Sequence, residues 1–288
     1  MKSNIVKMCL SAFFFIGGMI FARAMQVDYV SFKPSVGAFS LSADGRVATI
    51  CVDTADYKGV RLAARNLGTD IGRVTGTAAD VSMSSPSKRG VVVAGTIGRN
   101  RQIDEWVKQG KLDVSAIEGK WESYLIQTVD GNLVIAGSDK RGTIFGIYDL
   151  SEKIGVSPWH YFADVPTQRH AELYVKPGRY VQDSPKVKYR GIFLNDEWPS
   201  LGGWASKKFG GFNSRFYAHV FELLLRLKAN YMWPAMWASS FYEDDPANGQ
   251  LADDMGIVMG TSHHEPMMRP HKDYRRSVLG IMLRIRRV

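Results

Sequence analysis

Apolar and polar positions alternate in two different rhythms along this chain. Residues 46–52 (RVATICV) concentrate β-branched side chains and predict a strand. Residues 55–71 place Val60, Ala63, Ala64 and Leu67 at the three- and four-residue spacing of one helix face. Residues 91–94 read as a buried strand, and residues 100–109 as a short helix with Ile103, Trp106 and Val107 inward. Two apolar runs, 123–128 and 133–136, flank Asp130 and Gly131, a turn pair that predicts a hairpin. An amphipathic helix follows at 142–154. Together these predict a small α/β layer domain, residues 25–176.

Pro177, Gly178, Ser184 and Pro185 then mark a linker at 177–187, after which the repeat tightens. Residues 188–194 (KYRGIFL) predict a strand ending in Asn195, Asp196 and Glu197, followed by a strongly apolar helix at 216–228. A second strand, 230–234, leads to Trp237, a short helix spans 251–255, and a third strand, 256–260 (GIVMG), runs into Thr261, Ser262, His263, His264 and Glu265. Strands that end in polar or aromatic residues are the habit of a (β/α)8 barrel, whose active site is built where the strands end. Three units occupy residues 188–276, whereas a whole barrel needs about 250 residues. The expected fold is therefore α/β: a small N-terminal α/β domain and the first three β/α units of an incomplete (β/α)8 barrel. Such an open barrel would leave a sheet edge unpaired and expose the apolar surface of residues 221–227.

Composition adds constraints rather than a function. With 288 residues, 45% hydrophobic and 23% charged, the chain can bury a sizeable core, and its two cysteines exclude a disulfide scaffold. The formal charge of +9 lies at the ends. Residues 1–24 carry three cations and no acid, residues 269–288 carry seven cations against one acid, and the stretch between is neutral. A neutral body with charged ends argues against nucleic acid as a partner. Lys2 and Lys7 precede an apolar run at 8–22, and Ala22, Arg23 and Ala24 form a small-x-small site. That is the layout of a secretory signal cut after Ala24, which predicts a secreted or periplasmic protein. No later apolar run reaches 18 residues, so no membrane span is expected in the mature chain.

Asn195, Asp196, Glu197 and Trp198 combine carboxylates with an indole, which suits a sugar: oxygens take ring hydroxyls and the aromatic face covers the C–H face. A strand-end turn accounts for the same composition equally well. His263 and His264 would point to opposite faces of a strand, a poor chelate, and a helix-borne H-E-x-x-H is absent, so no metal is expected. They can serve as donors at a pocket rim. Trp233, Met236 and Trp237 fit a core at least as well as a sugar subsite. Glu243, Asp244 and Asp245 read as a loop cap. Gly95–Gly98 lacks both the G-x-G-x-x-G and the G-K-[ST] spacings, so no nucleotide or other cofactor is expected.

The stretch from Tyr189 to Met268 resembles glycoside hydrolase family 115, the xylan α-1,2-glucuronidases. The resemblance rests on RGIFLNDE (190–197), FGGFN (209–213), FELLLRLKANYMWPAMW (221–237), DDPAN (244–248) and MGIVMGTSHHEPMM (255–268). Upstream, residues 137–166 resemble the family's leading α/β domain. The resemblance implies an inverting hydrolase removing (4-O-methyl-)glucuronic acid from xylan or glucuronoxylan oligosaccharides, and leaves open a homodimer of the parent. By position, Asp196 and His264 match pocket residues, with Asn195, Glu197, His263 and Trp237 as further substrate-binding candidates. The catalytic acid and base are expected on later strands, beyond residue 288. Near residue 276 a Gly-Pro-Trp-Asp-Tyr-Ala continuation is implied, but residues 277–288 read SVLGIMLRIRRV. Back-translating residues 279–287 and starting two bases later yields Trp-Asp-Tyr-Ala-Ala-Asn-Lys, so 277–288 are read as an out-of-frame tail and the chain as an inactive N-terminal fragment. A non-catalytic secreted carbohydrate-binding protein is the alternative, and a hexosaminidase-like enzyme sharing the leading domain a third reading.

Overall fold

The computed structural model describes residues 28–86, 89–234 and 239–260. The expected signal segment and the expected out-of-frame tail lie outside the described residues. In chain order the first elements are β1 (Val30–Ser31), β2 (Phe39–Ala43), β3 (Arg46–Val47), β4 (Ile50–Cys51), α1 (Lys58–Thr75), β5 (Val81–Ser82), β6 (Val92–Thr96), α2 (Arg101–Lys108), β7 (Tyr124–Val129), β8 (Asn132–Gly137) and α3 (Lys140–Lys153). A 3-10 turn at Pro158–His160, β9 (Leu173–Val175) and β10 (Arg179–Gln182) lead to β11 (Gly191–Phe193), α4 (Leu201–Phe209) and α5 (Ser214–Arg226). The last elements are β12 (Tyr231–Trp233), α6 (Phe241–Asp244), α7 (Ala247–Met255) and β13 (Val258–Met259).

Local chemistry sets many of these boundaries. Helix α1 starts three residues later than its apolar spacing suggests, because Asp53 and Asp56 accept from the Ala55 and Tyr57 N–H groups and hold a turn there. It stops at Gly76, whose φ of +92° suits a residue without Cβ. Asn100 caps α2 by accepting from the N–H groups of Gln102 and Ile103. The β7–β8 hairpin turns on Asp130 and Gly131, both left-handed, as its two-residue loop requires.

Six strands form the main sheet in the order β10-β7-β8-β6-β4-β5, with β8, β6, β4 and β5 mutually parallel. The chain leaves β4 toward β5 and returns on the other side to β6, so β4 and β6 bound a topological switch point, where such sheets bind ligands. Here the protein's own carboxylates take the backbone donors. Asp56 accepts from Thr96 N at 2.7 Å, Asp104 from Gly98 N at 2.8 Å, and Asp53 from both the backbone N and the Nε of Arg101. No backbone donor in that set is left for a phosphate, which is a physical reason to discount a nucleotide at residues 95–98.

A second, antiparallel sheet, β1-β9-β2-β3, has no clear periodic signature in the sequence. The run at 46–52, expected to be one strand, is divided between the two sheets. Ala48 N still bonds to Leu41 O in the smaller one, and Ile50 N already bonds to Asp80 O in the larger. A third sheet, β11-β12-β13, is parallel throughout, with helices in both connections. These are the three β/α units expected from the sequence.

Two expectations change at the joint between the halves. Part of the stretch read as a linker, 177–187, is strand β10, which pairs antiparallel along all of its length with β7. Nor is the apolar face of residues 221–227 left open. Phe221, Leu224 and Leu225 are buried in one core with Val60 and Leu67 of α1 and Phe145 and Tyr148 of α3, and only Leu227 is well exposed. The α/β layer covers the helix instead of a neighbouring barrel element. Buried ion pairs pin the same joint. Glu122, 1% exposed, accepts from Arg141 Nε in its own half and from Arg190 Nη2 and Asn230 Nδ2, each at 2.6 Å, across the joint. Asp149 accepts from Tyr29 OH at 2.8 Å and Lys228 Nζ at 2.6 Å, and Asp70 from Arg226 Nη1 at 2.8 Å.

A pH dependence follows from two histidines at this joint. His160 lies in the 3-10 turn, and His219 of α5 stacks on Tyr161 with centroids 3.8 Å apart. Burial holds both below the usual histidine value. Arg226 and Arg73 add to the effect at His160, and Lys208 and His160 at His219, against the pull of Glu222 and, at His160, the Ser157 carbonyl. The folded state thus takes up protons less readily than the unfolded chain. Their contribution is fully present above the unfolded value, about 6.5, and is lost as pH falls through the lowered folded values. In urea unfolding between pH 7.5 and 5, His160→Gln with His219→Gln should flatten the decline; an unchanged slope would assign it to other groups.

Candidate functional site

Because β11, β12 and β13 are parallel and in register, Gly191 beside Tyr231 and Tyr231 beside Val258, their C-terminal ends share one edge. Each polar or aromatic run predicted from the sequence therefore departs from the same rim. Of the six candidates, Asn195, Asp196 and Glu197 are described. Trp237, His263 and His264 lie outside the described residues, although the strands leading to them are in place.

Past the Leu194 N–H, which still bonds to Trp233 O at 2.8 Å, the chain leaves the sheet and folds back onto the start of α4. Asp196 is 1% exposed, while Glu197 stands in solvent and accepts at 2.8 Å from Asn195 Nδ2. The Glu197 carbonyl accepts from Gly202 N at 3.0 Å and from Ser200 Oγ at 3.2 Å, which pins the turn to the helix. Asn195 Oδ1 is buried, and no described residue donates to it. A buried acceptor in this state calls for a hydroxyl from water or ligand. The set therefore presents acceptors at two depths, a buried carboxylate and an exposed one bridged by an amide, arranged for a polyhydroxylated ligand.

Trp198 is 63% exposed and lies on the first turn of α4. A Cβ on Gly202 would come within 2.6 Å of its Nε1, and one on Gly203 within 3.8 Å of the ring. The sequence reading missed this glycine pair, whose only signal is two adjacent glycines where a helix begins. Gly202→Ala should displace the indole and shift tryptophan emission. Stability should change by less than about 1 kcal/mol, since the better helix former offsets the lost contact. An unshifted spectrum would show that the ring does not rest there.

The acidic run at 243–245 plays the capping part that composition suggested. Asp245 accepts from the N–H groups of Ser214 and Ala247, and these bonds, Ser214 first, hold its carboxyl below the usual range. An anion so held is a helix-joining cap rather than a proton donor. Among the described residues no three His, Cys, Asp or Glu side chains converge on a metal position, and no helix is long and apolar enough to cross a membrane.

Comparison with known proteins bears on this rim directly. Residues 182–283 match glycosyl hydrolase family 115. The chain is similar to the structure of a family 115 4-O-methyl-alpha-glucuronidase with specificity for decorated arabinogalactans, at 33% identity and a TM-score of 0.69. That match covers 80% of this chain and 30% of the other, so the chain spans less than a third of that structure's length. Two further matches are a Flavobacterium johnsoniae chitobiase (12% identity, TM-score 0.46, covering 81% of this chain and 33% of that one) and a Streptomyces plicatus N-acetyl-beta-hexosaminidase (12%, 0.47, 78% and 42%). No curated protein matches by sequence.

Proposed function

On the premise that this chain carries a glycosyl hydrolase family 115 domain over residues 182–283, we propose that it forms the leading part of an exported α-glucuronidase. In this reading β11, β12 and β13 are the first three strands of a (β/α)8 barrel, and their shared rim receives a (4-O-methyl-)glucuronosyl group carried on glucuronoxylan. The observation that supports it most is the placement of Asn195, Asp196 and Glu197 at the C-terminal end of β11, inside the region that matches the family.

Asp196 and Asn195 would hold sugar hydroxyls, since carboxylate and amide oxygens accept from O–H groups. His263 and His264 would supply donors for the uronate carboxylate, and Trp237 an apolar wall. Inverting hydrolysis needs an acid and a base about 6.5–9.5 Å apart with water between them. We place that pair on strands beyond the 288 residues.

Native gel retardation in glucuronoxylan tests the binding half of the proposal. The chain should be retarded, and Asp196→Asn should weaken retention by about tenfold, about 1.4 kcal/mol. Equal retention by the variant would remove Asp196 from the site. Release of glucuronate by the chain itself would overturn the placement of acid and base elsewhere. The specificity printed for the similar enzyme makes decorated arabinogalactan the second polymer to run; stronger retention there would replace xylan as the substrate.

A further inference from the structure

We infer that the exposed face of Trp198 is the platform on which the neutral backbone of the polysaccharide lies, outside the pocket that takes the uronosyl group. The inference rests on the glucuronidase reading of the rim and deepens it by assigning the part of the substrate that Trp198 recognises.

Depth separates the two contacts. Asp196 is buried whereas Trp198 is 63% exposed, and two residues of chain span at most about 7 Å, roughly the length of one sugar ring. A glycosyl unit bonded to Asp196 would thus place the unit to which it is linked over the indole.

The ring is also built to be covered. Its inner side lies against the backbone of Gly202 and Gly203, where a side chain on Gly202 would strike it, so the helix start keeps the indole flat and low. Other aromatic residues nearby are already engaged. Trp204 packs against Phe209 and Phe216 under Lys208, and Phe193 meets Trp233 edge-on at 5.1 Å. Among the described residues none places a ring or a cation against Trp198. A broad apolar face fringed by the polar atoms of Asn195 and Glu197 suits the C–H face of a neutral pyranose with its hydroxyls at the edge. A charged or wholly apolar partner would use only one of these features.

The test compares a ligand that reaches the platform with one that does not. The full chain, Trp198→Ala and Trp198→Phe are titrated with glucuronoxylan in retardation gels and with free glucuronate by ligand-observed NMR. Trp198→Ala should weaken glucuronoxylan retention by about tenfold. It should leave the glucuronate signal unchanged, and Trp198→Phe should stay within about threefold of the native chain. Equal retention by Trp198→Ala, or parallel losses for both ligands, would overturn the platform and leave the glucuronidase reading intact. Absence of any glucuronate signal from the native chain would overturn that reading and the platform with it. The exposure of Trp198 keeps the fold out of the comparison, and matching urea midpoints would verify this.

Discussion

Glu122→Ala should destabilise the protein by about 3 kcal/mol or more, because it leaves two arginines at a closed joint without their carboxylate. The Glu122 side chain is fully buried, and its partners Arg141 and Arg190 are themselves only 26% and 22% exposed. Each guanidinium keeps some access to water, which places the expected cost at the lower end for a broken buried pair. Arg190 also donates to the carbonyls of Lys228, Val187 and Lys188, so its displacement would loosen the chain on both sides of β11. Urea unfolding reads the effect. A double-mutant cycle with Arg190→Met should return a coupling above about 1 kcal/mol. A loss below that figure in Glu122→Ala itself would mean that apolar burial alone holds the halves together.

Gly191→Ala is the second large effect. A Cβ at this position would lie 1.8 Å from the Tyr231 carbonyl oxygen, which belongs to the backbone of the neighbouring strand and has no rotamer by which to retreat. The strands must part or the chain must twist, and overpacking of this kind costs about 3 kcal/mol or more. The consequence reaches the candidate site, since Asn195 and Asp196 begin two residues past the end of β11. The variant should therefore lose glucuronoxylan retention together with stability. Retention equal to that of the native chain would show that the rim does not depend on β11 staying in register with β12.

Much of the fold was legible because the signals concerned are local. Helix α2 needs only Asn100 followed by Ile103 and Trp106, and the hairpin needs only Asp130 and Gly131 between two apolar runs. The three parallel strands were readable because their apolar residues form short continuous runs that stop at polar clusters. The antiparallel sheet was not readable, since β1, β3 and β9 are two or three residues long and draw their partners from more than 100 positions away. The division of residues 46–52 between two sheets was hidden for the same reason: a run of β-branched residues favours extended backbone without specifying which edge it joins.

Of the candidate site, the chemical types of Asn195, Asp196, Glu197 and Trp198 and their position after a strand came from the order of residues alone. Their different depths did not. Burial of Asp196 beside an exposed Trp198 depends on the turn that Glu197 O ties to Gly202 N, and on glycines that let an indole lie against a helix. The joint shows the same division. Glu122, Asp149 and Asp70 are unremarkable acids in the sequence, and nothing in their neighbours marks them as buried. They become the anchors of the joint because their cations, Arg190, Lys228 and Arg226, arrive from 68, 79 and 156 residues away. Short-range pattern encodes periodicity and capping, whereas charge pairing at that range exists only once the chain has closed on itself.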